Sequence, residues 1–189
     1  MPVMVPRERI RKIVEGYDKD KLTIATVCSH TSLQIFDGAR KEGFRTMGIT
    51  VGQHIKFYDA FPRGKPDEFL TVGSYLDLLD MADELAARNV ILVPHGSFVE
   101  YMTPKRFEEL EVPTFGNRSV LEWESNREMG RQWLLSAGAE MPNIIEDPKM
   151  IDRPVLVKYD GAKGGRGFFI AKDYPDFKLG IDSSQRFTI

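Results

Sequence analysis

The sequence predicts an α/β protein in two parts: a parallel-sheet domain over residues 1–116, and an α+β part over 117–189 built around an antiparallel hairpin. Two observations predict this. Through the first part, short and almost wholly apolar β-rich runs alternate with helical patterns, as in βαβ units. In the second part, a glycine-rich loop joins two strand-like runs with no helix between them, which describes a hairpin.

The elements follow in order. A charged, amphipathic opening helix is expected around 7–17. Leu22 to Cys28 is β-rich and almost wholly apolar, as a strand buried on both faces reads. Ser29-His30-Thr31-Ser32 opens a helical pattern of Leu33, Ile35, Phe36 and Ala39 that stops near Gly43. Phe44 to Ile49 is the next strand. A loop with Pro62 and Pro66 leads to a short strand, Phe69 to Val72, and to a helix from Tyr75 to about Arg88. Val90 to Val93 is another buried strand. Beyond Pro113, Asn117 to Ala137 reads as one helix that Gly138 stops. Ile144-Ile145 and Val155 to Lys158 are strand-like, and Gly167 to Ala171 is the returning strand.

At 189 residues the chain has room for one full domain and part of another. Its 42% hydrophobic and 29% charged residues are those of a folded globular chain. A net charge of −2 gives no whole-chain field for a nucleic-acid backbone or an anionic membrane, so neither partner is expected. Apolar runs such as Val90 to Pro94 fall far short of the roughly 20 residues that span a bilayer. The start meets charge at once and lacks a signal-peptide apolar region, so a cytoplasmic location is expected. Cys28 is the single cysteine. It is expected to be a small buried side chain at a strand end, without chemistry.

The densest chemical signal is Lys158-Tyr159-Asp160-Gly161-Ala162-Lys163-Gly164-Gly165-Arg166-Gly167, with four glycines and three basic residues within ten positions. Glycine lets the backbone approach phosphate oxygens and turn its N–H groups inward, while Lys and Arg neutralise charge. A mobile surface hairpin is the plainer alternative. No Gly-Lys-Ser/Thr opens a helix here, so it is not a Walker loop. It resembles the phosphate loop of ATP-grasp enzymes, in which a lysine ends one strand and a glycine-rich hairpin closes over ATP. Arg127, eleven residues before Gly138, fits the basic residue that helps bind nucleotide there, with Arg in place of the usual Lys.

Parallel sheets bind ligands beyond the carboxyl ends of their strands. Two such ends are polar, Cys28-Ser29-His30-Thr31-Ser32 and Pro94-His95-Gly96-Ser97-Phe98, and are expected to face one crevice. Ser29, Thr31 and Ser32 at a helix start suit an anion such as a nucleotide phosphate, and equally suit N-capping. His30 and His95 lack a third ligand at useful spacing, so a zinc site is rejected, and His54 is expected in a solvated loop.

Together these motifs resemble, in order and spacing over almost the whole chain, the archaeal 5-formaminoimidazole-4-carboxamide ribonucleotide (FAICAR) synthetase family. The resemblance rests on Ser29 to Leu33, Val93 to Phe98, Phe115-Gly116-Asn117-Arg118, Trp123-Glu124-Ser125 and Lys158 to Ile170. It implies a Rossmann-like pre-ATP-grasp domain followed by an incomplete ATP-grasp lobe. It also implies an ATP-dependent ligase of purine (IMP) biosynthesis that joins formate to AICAR through formyl phosphate, without folate. AICAR would be bound by His30 and Ser97, with Thr31 and Ser32 at the helix start. ATP would be bound by Arg127, Lys158, Gly161, Lys163, Gly164, Gly165, Arg166 and Gly167. Asn117 and Arg118 would face the same crevice, or else serve as a cap and a surface ion pair. No catalytic residue is assigned. Magnesium ligands are expected in a further C-terminal part, so this chain is expected to be a fragment inactive alone, from a homo-oligomeric enzyme. An ATP-grasp paralogue acting on another amine, and a non-catalytic nucleotide-binding module, are the alternatives.

Overall fold

The computed structural model describes residues 4–52, 54–159 and 167–185. The chain divides into two compact units, Met1–Glu122 and Trp123–Ile189.

In the first unit, helix α1 (Arg7–Glu15) follows Pro6 and ends at Gly16. None of its residues is fully buried; it is tied down by the ion pair Arg9–Glu111 (2.8 Å) and by the Val5 N–H, which donates to the Glu108 carbonyl (3.0 Å). Four strands follow: β1 (Thr23–Val27), β2 (Arg45–Val51), β3 (Glu68–Val72) and β4 (Val90–Leu92). They form one parallel sheet in the order β3-β2-β1-β4. Helix α2 (Ser32–Lys41) connects β1 to β2, and the β3–β4 connection carries α3 (Ala82–Ala87) from one edge of the sheet to the other. A segment after α4 (Ser97–Met102) and α5 (Pro104–Glu108) returns beside β4, with Leu92 bridged to Thr114.

Side chains alternate across the sheet. Ala25, Val27, Met47, Ile49 and Leu92 share one face, packed with Leu85, Phe98, Phe107 and Leu110. The opposite face holds a smaller cluster of Cys28, Phe36 and Tyr58. Gly48 makes this second face possible, because a Cβ there would lie 2.8 Å from both Cys28 Sγ and Pro66 Cγ. Cys28 is packed as a small apolar residue, and burial pushes its thiol up to about 11.

The helix expected from Tyr75 to Arg88 is a 3₁₀ turn, Tyr75–Leu79, followed by the shorter α3. Ser74 caps the turn, and the Asp77 carboxylate accepts from the backbone N–H groups of Gly73 (3.0 Å) and Ser74 (2.9 Å), which tightens this corner. His54 opens another 3₁₀ turn, His54–Ala60, where a loop was expected.

The single helix expected over 117–137 is likewise two, α6 (Val120–Ser125) and α7 (Arg127–Ser136). Asn126 separates them. Its backbone is extended, and its side chain accepts from the Met129 N–H (3.0 Å), so it caps α7 instead of continuing α6. The expected stop holds: Gly138 has φ of 79°, and Ala139 N–H donates back to the Leu134 carbonyl (3.0 Å). Ile144 and Ile145 form no strand; the chain passes through them to a 3₁₀ turn at Pro148–Met150.

Strands β5 (Val155–Lys158) and β6 (Phe168–Ala171) pair antiparallel, as expected of the hairpin. Helix α8 (Tyr174–Gln185) follows, begun by Asp173, whose carboxylate accepts from Asp176 N–H (2.8 Å). It covers the hairpin face that carries Phe169; a Cβ on Gly180 would collide with that ring. The other face presents Leu156, Phe168 and Ile170, all exposed.

Candidate functional site

In the strand order β3-β2-β1-β4 the connections leave β1 and β3 in opposite directions, so the switch point lies between the carboxyl ends of β1 and β4. A side chain bridges this point. His95, just past β4, donates from Nε2 to the carbonyl of Val27, the last residue of β1 (3.1 Å). Its Nδ1 accepts from the Ser97 N–H (3.3 Å), and its ring meets Phe98 edge-on at 5.5 Å. Burial lowers its pKa below the ordinary 6.5; the Val27 bond opposes this and the nearby His30 adds to it. With both nitrogens engaged, His95 is a neutral strut and has no lone pair free for a metal.

The four residues after β1 divide by role. Ser32 is fully buried, and its hydroxyl donates to the Ser29 carbonyl (2.6 Å), accepts from the Ser29 N–H (3.1 Å) and meets the Tyr58 hydroxyl (2.7 Å). Ser29 Oγ accepts from the Thr31 N–H (3.2 Å). Thr31 precedes α2 in helical conformation and makes no side-chain cap, so the capping expected of it does not form. The turn therefore spends Ser29 and Ser32 on itself and presents His30, which is exposed, with Thr31 half-buried beside it. Across the switch point, Ser97 begins α4, half-buried, its N–H held by His95. The first unit thus brings His30, Thr31 and Ser97 to one end of the sheet.

Arg118 is placed differently from the expectation of a crevice residue or a surface ion pair. Its guanidinium donates to the carbonyls of Phe107 (3.3 Å), Leu110 (2.5 Å) and Val112 and lies over the Phe107 ring, so it caps the end of α5 from within. Asn117 accepts from Ser119 N–H (3.1 Å) and Oγ (2.8 Å), the helix-start role.

In the second unit, Lys158 ends β5 and is exposed. The next residue, Tyr159, donates its N–H to the Gly167 carbonyl (2.9 Å), which closes the hairpin's root. Arg127, the first residue of α7, donates from Nε to the Tyr159 carbonyl. Arg127, Lys158 and Gly167 are therefore gathered where the glycine-rich segment leaves the strands. Gly161, Lys163, Gly164, Gly165 and Arg166 lie outside the described residues. Two cations at the root of a glycine-rich hairpin suit the phosphates of a nucleotide. Among the described residues no group of three His, Cys, Asp or Glu side chains could hold a metal ion.

A surface cavity of about 280 Å³ opens at the other end of the sheet, lined by Lys21, Arg45, Glu68 and Arg88 among others. Its charges are largely spent on each other and on neighbours, as in Arg88–Glu68 (2.6 Å) and Lys21–Asp18 (2.8 Å). Sequence reasoning missed three tyrosines at the carboxyl end: Tyr58, which supports Ser32, and Tyr75 and Tyr101, which stack on each other. Tyr75 lies three residues past the end of β3, a position the strand-end rule marks.

A family model described as "Protein of unknown function (DUF1246)" matches residues 24–145. Over 186 residues the chain is 59% identical to 5-formaminoimidazole-4-carboxamide-1-(beta)-D-ribofuranosyl 5'-monophosphate synthetase 1 of Methanosarcina mazei, covering 98% of this chain and 52% of that protein. The chain thus spans about half the length of the curated relatives it matches. Among solved structures it resembles an IMP biosynthesis protein PurP from Thermococcus kodakaraensis, at a TM-score of 0.51 and 32% identity over 75% of this chain and 41% of the other. N5-carboxyaminoimidazole synthetase from Staphylococcus aureus complexed with ADP shares the fold, at a TM-score of 0.60 and 13% identity over 87% of this chain and 44% of the other.

Proposed function

The chain belongs to the DUF1246 family, and from that premise we propose that it forms part of an ATP-dependent ligase joining formate to AICAR to give FAICAR in IMP biosynthesis. The 59% identity of almost this whole chain to about half of the synthetase of Methanosarcina mazei carries this reading. The first unit is read as a pre-ATP-grasp substrate domain and the second as the N-terminal part of an ATP-grasp lobe. The parallel sheet and the hairpin support that division.

Formate is a poor acyl donor until one of its oxygens takes the γ-phosphoryl group of ATP. The AICAR amine then attacks the formyl carbon, loses a proton and displaces phosphate. Catalysis of this kind is chiefly positioning and charge neutralisation. In this reading Lys158 and Arg127 neutralise the nucleotide phosphates, and Gly161, Lys163, Gly164, Gly165, Arg166 and Gly167 wrap them. His30, Thr31 and Ser97 hold AICAR, while Ser32, being buried, acts by fixing the turn that presents His30. The magnesium that accompanies ATP in such chemistry is assigned no ligand in this chain. The enzyme is read as a cytoplasmic homo-oligomer.

The test is turnover by the complete protein given ATP, formate and AICAR. The expected result is one ADP and one phosphate released per FAICAR formed, with ADP release dependent on formate. Formylation of a different amine with AICAR inert would overturn the reading.

A further inference from the structure

We infer that the stacked pair Tyr75–Tyr101 is the platform on which the planar imidazole of the ribonucleotide lies, so that these rings set base recognition in the first unit. The inference rests on the ligase reading and deepens its substrate site.

The pair's position is the first argument. Tyr75 belongs to the turn after β3 and Tyr101 to α4 after β4, and these strands are the two edges of the sheet. Both segments leave the carboxyl ends of their strands and meet there over the core-bearing face, where Tyr75 packs against the main core. The Tyr75 hydroxyl accordingly faces the backbone of Val51, the last residue of β2, as the acceptor. The rings therefore stand at the end of the sheet that also carries His30, His95 and Ser97. Ser97 and Tyr101 are four residues apart on α4 and so share a face, while Phe98, Val99 and Met102 turn into the core.

Geometry is the second. Tyr75 and Tyr101 are parallel to within 7°, with centroids 4.7 Å apart. The other ring pairs described in this unit are tilted or edge-on, between 42° and 90°. Tyr75 covers one side of the Tyr101 ring, yet Tyr101 keeps 38% of its surface exposed. A flat, partly open aromatic stack is suited to accept a third planar group. A heteroaromatic base is such a group, and stacking it on a tyrosine would fix the plane of its exocyclic amine.

The experiment compares Tyr101→Leu, Tyr101→Phe and Tyr75→Leu with wild type in the complete protein, measuring binding of AICAR, of ATP, and of ribose 5-phosphate, which lacks the base. Base–aromatic stacking corresponds to roughly a 5- to 150-fold change in affinity. Tyr101→Leu should weaken AICAR by an amount in that range, Tyr101→Phe should stay near wild type, and ribose 5-phosphate and ATP should be unchanged in both. Tyr75→Leu should weaken AICAR alone, to a smaller degree. Should Tyr101→Leu fail to fold, Tyr101→Trp supplies the test, through quenching of the introduced indole as AICAR binds. Equal losses for AICAR and ribose 5-phosphate, no loss of AICAR affinity, or an unquenched indole would overturn the inference while wild-type AICAR binding left the ligase reading intact. Absence of AICAR binding by wild type would overturn both.

Discussion

Lys158 and His30 are assigned to different substrates, and kinetics can separate them. Loss of a charge-assisted contact costs about 1.5–3 kcal/mol, so Lys158→Ala in the complete protein should lower kcat/KM for ATP by roughly one to two powers of ten. His30→Ala should act chiefly on AICAR, and unchanged kinetics in both variants would remove the assignments. His95 makes a stability prediction. Its folded pKa is lowered, so below the ordinary value of 6.5 the unfolded chain binds a proton that the folded chain resists. Stability contributed by His95 is therefore present above that value and lost as pH falls through the folded pKa. Urea unfolding of wild type should weaken over that interval, and His95→Gln should flatten the dependence. The positions of His30, Ser97 and Lys158 at strand ends were legible because polar residues there interrupt an apolar run. Tyr75 and Tyr101 were not, since an aromatic residue in a helical pattern reads as core. The buried commitments of Ser32 and Arg118 depend on partners 26 residues away, at Tyr58, and 6 to 11 residues away, at backbone carbonyls, which no local pattern reveals.

At the level of elements, the break at Asn126 decides how α7 begins and where Arg127 points. Removing an N-cap side chain costs about 1 kcal/mol, so Asn126→Ala should lower the unfolding midpoint of the second unit, with Asn126→Asp close to wild type. Both tryptophans, Trp123 and Trp133, belong to that unit and contact each other at 6.2 Å, so their fluorescence reports it selectively. An unmoved midpoint would show that the cap contributes nothing. Apolar residues recur on both sides of Asn126, which is why one helix was expected; a single capping residue outweighed that continuity. The stop at Gly138 and the hairpin were read correctly, because glycine at positive φ and a strand–loop–strand pattern are local signals. Asp173 followed by Pro175 is an equally local helix-start signal, and it announces α8.

Across the molecule, burial is unevenly shared. The first unit encloses a continuous core on one face of a parallel sheet, whereas Ala171 is the only fully buried hydrophobic residue among those described in the second. Hydrogen exchange should therefore be slowest in β1 and β2 and much faster in β5, β6 and α7. Comparable protection in both units would contradict this distribution. Parallel order was legible from the alternation of apolar strands with helices. The order β3-β2-β1-β4, and with it the strut from His95 to Val27, was not, because pairing joins residues 68 positions apart. The uncovered side of the β5–β6 ribbon has a practical consequence. Leu156, Phe168 and Ile170 lie together on it, and water is a poor neighbour for three such groups. A preparation of these 189 residues should cluster as it is concentrated, more readily with added sulfate, and changing Ile170 to lysine should keep it dispersed.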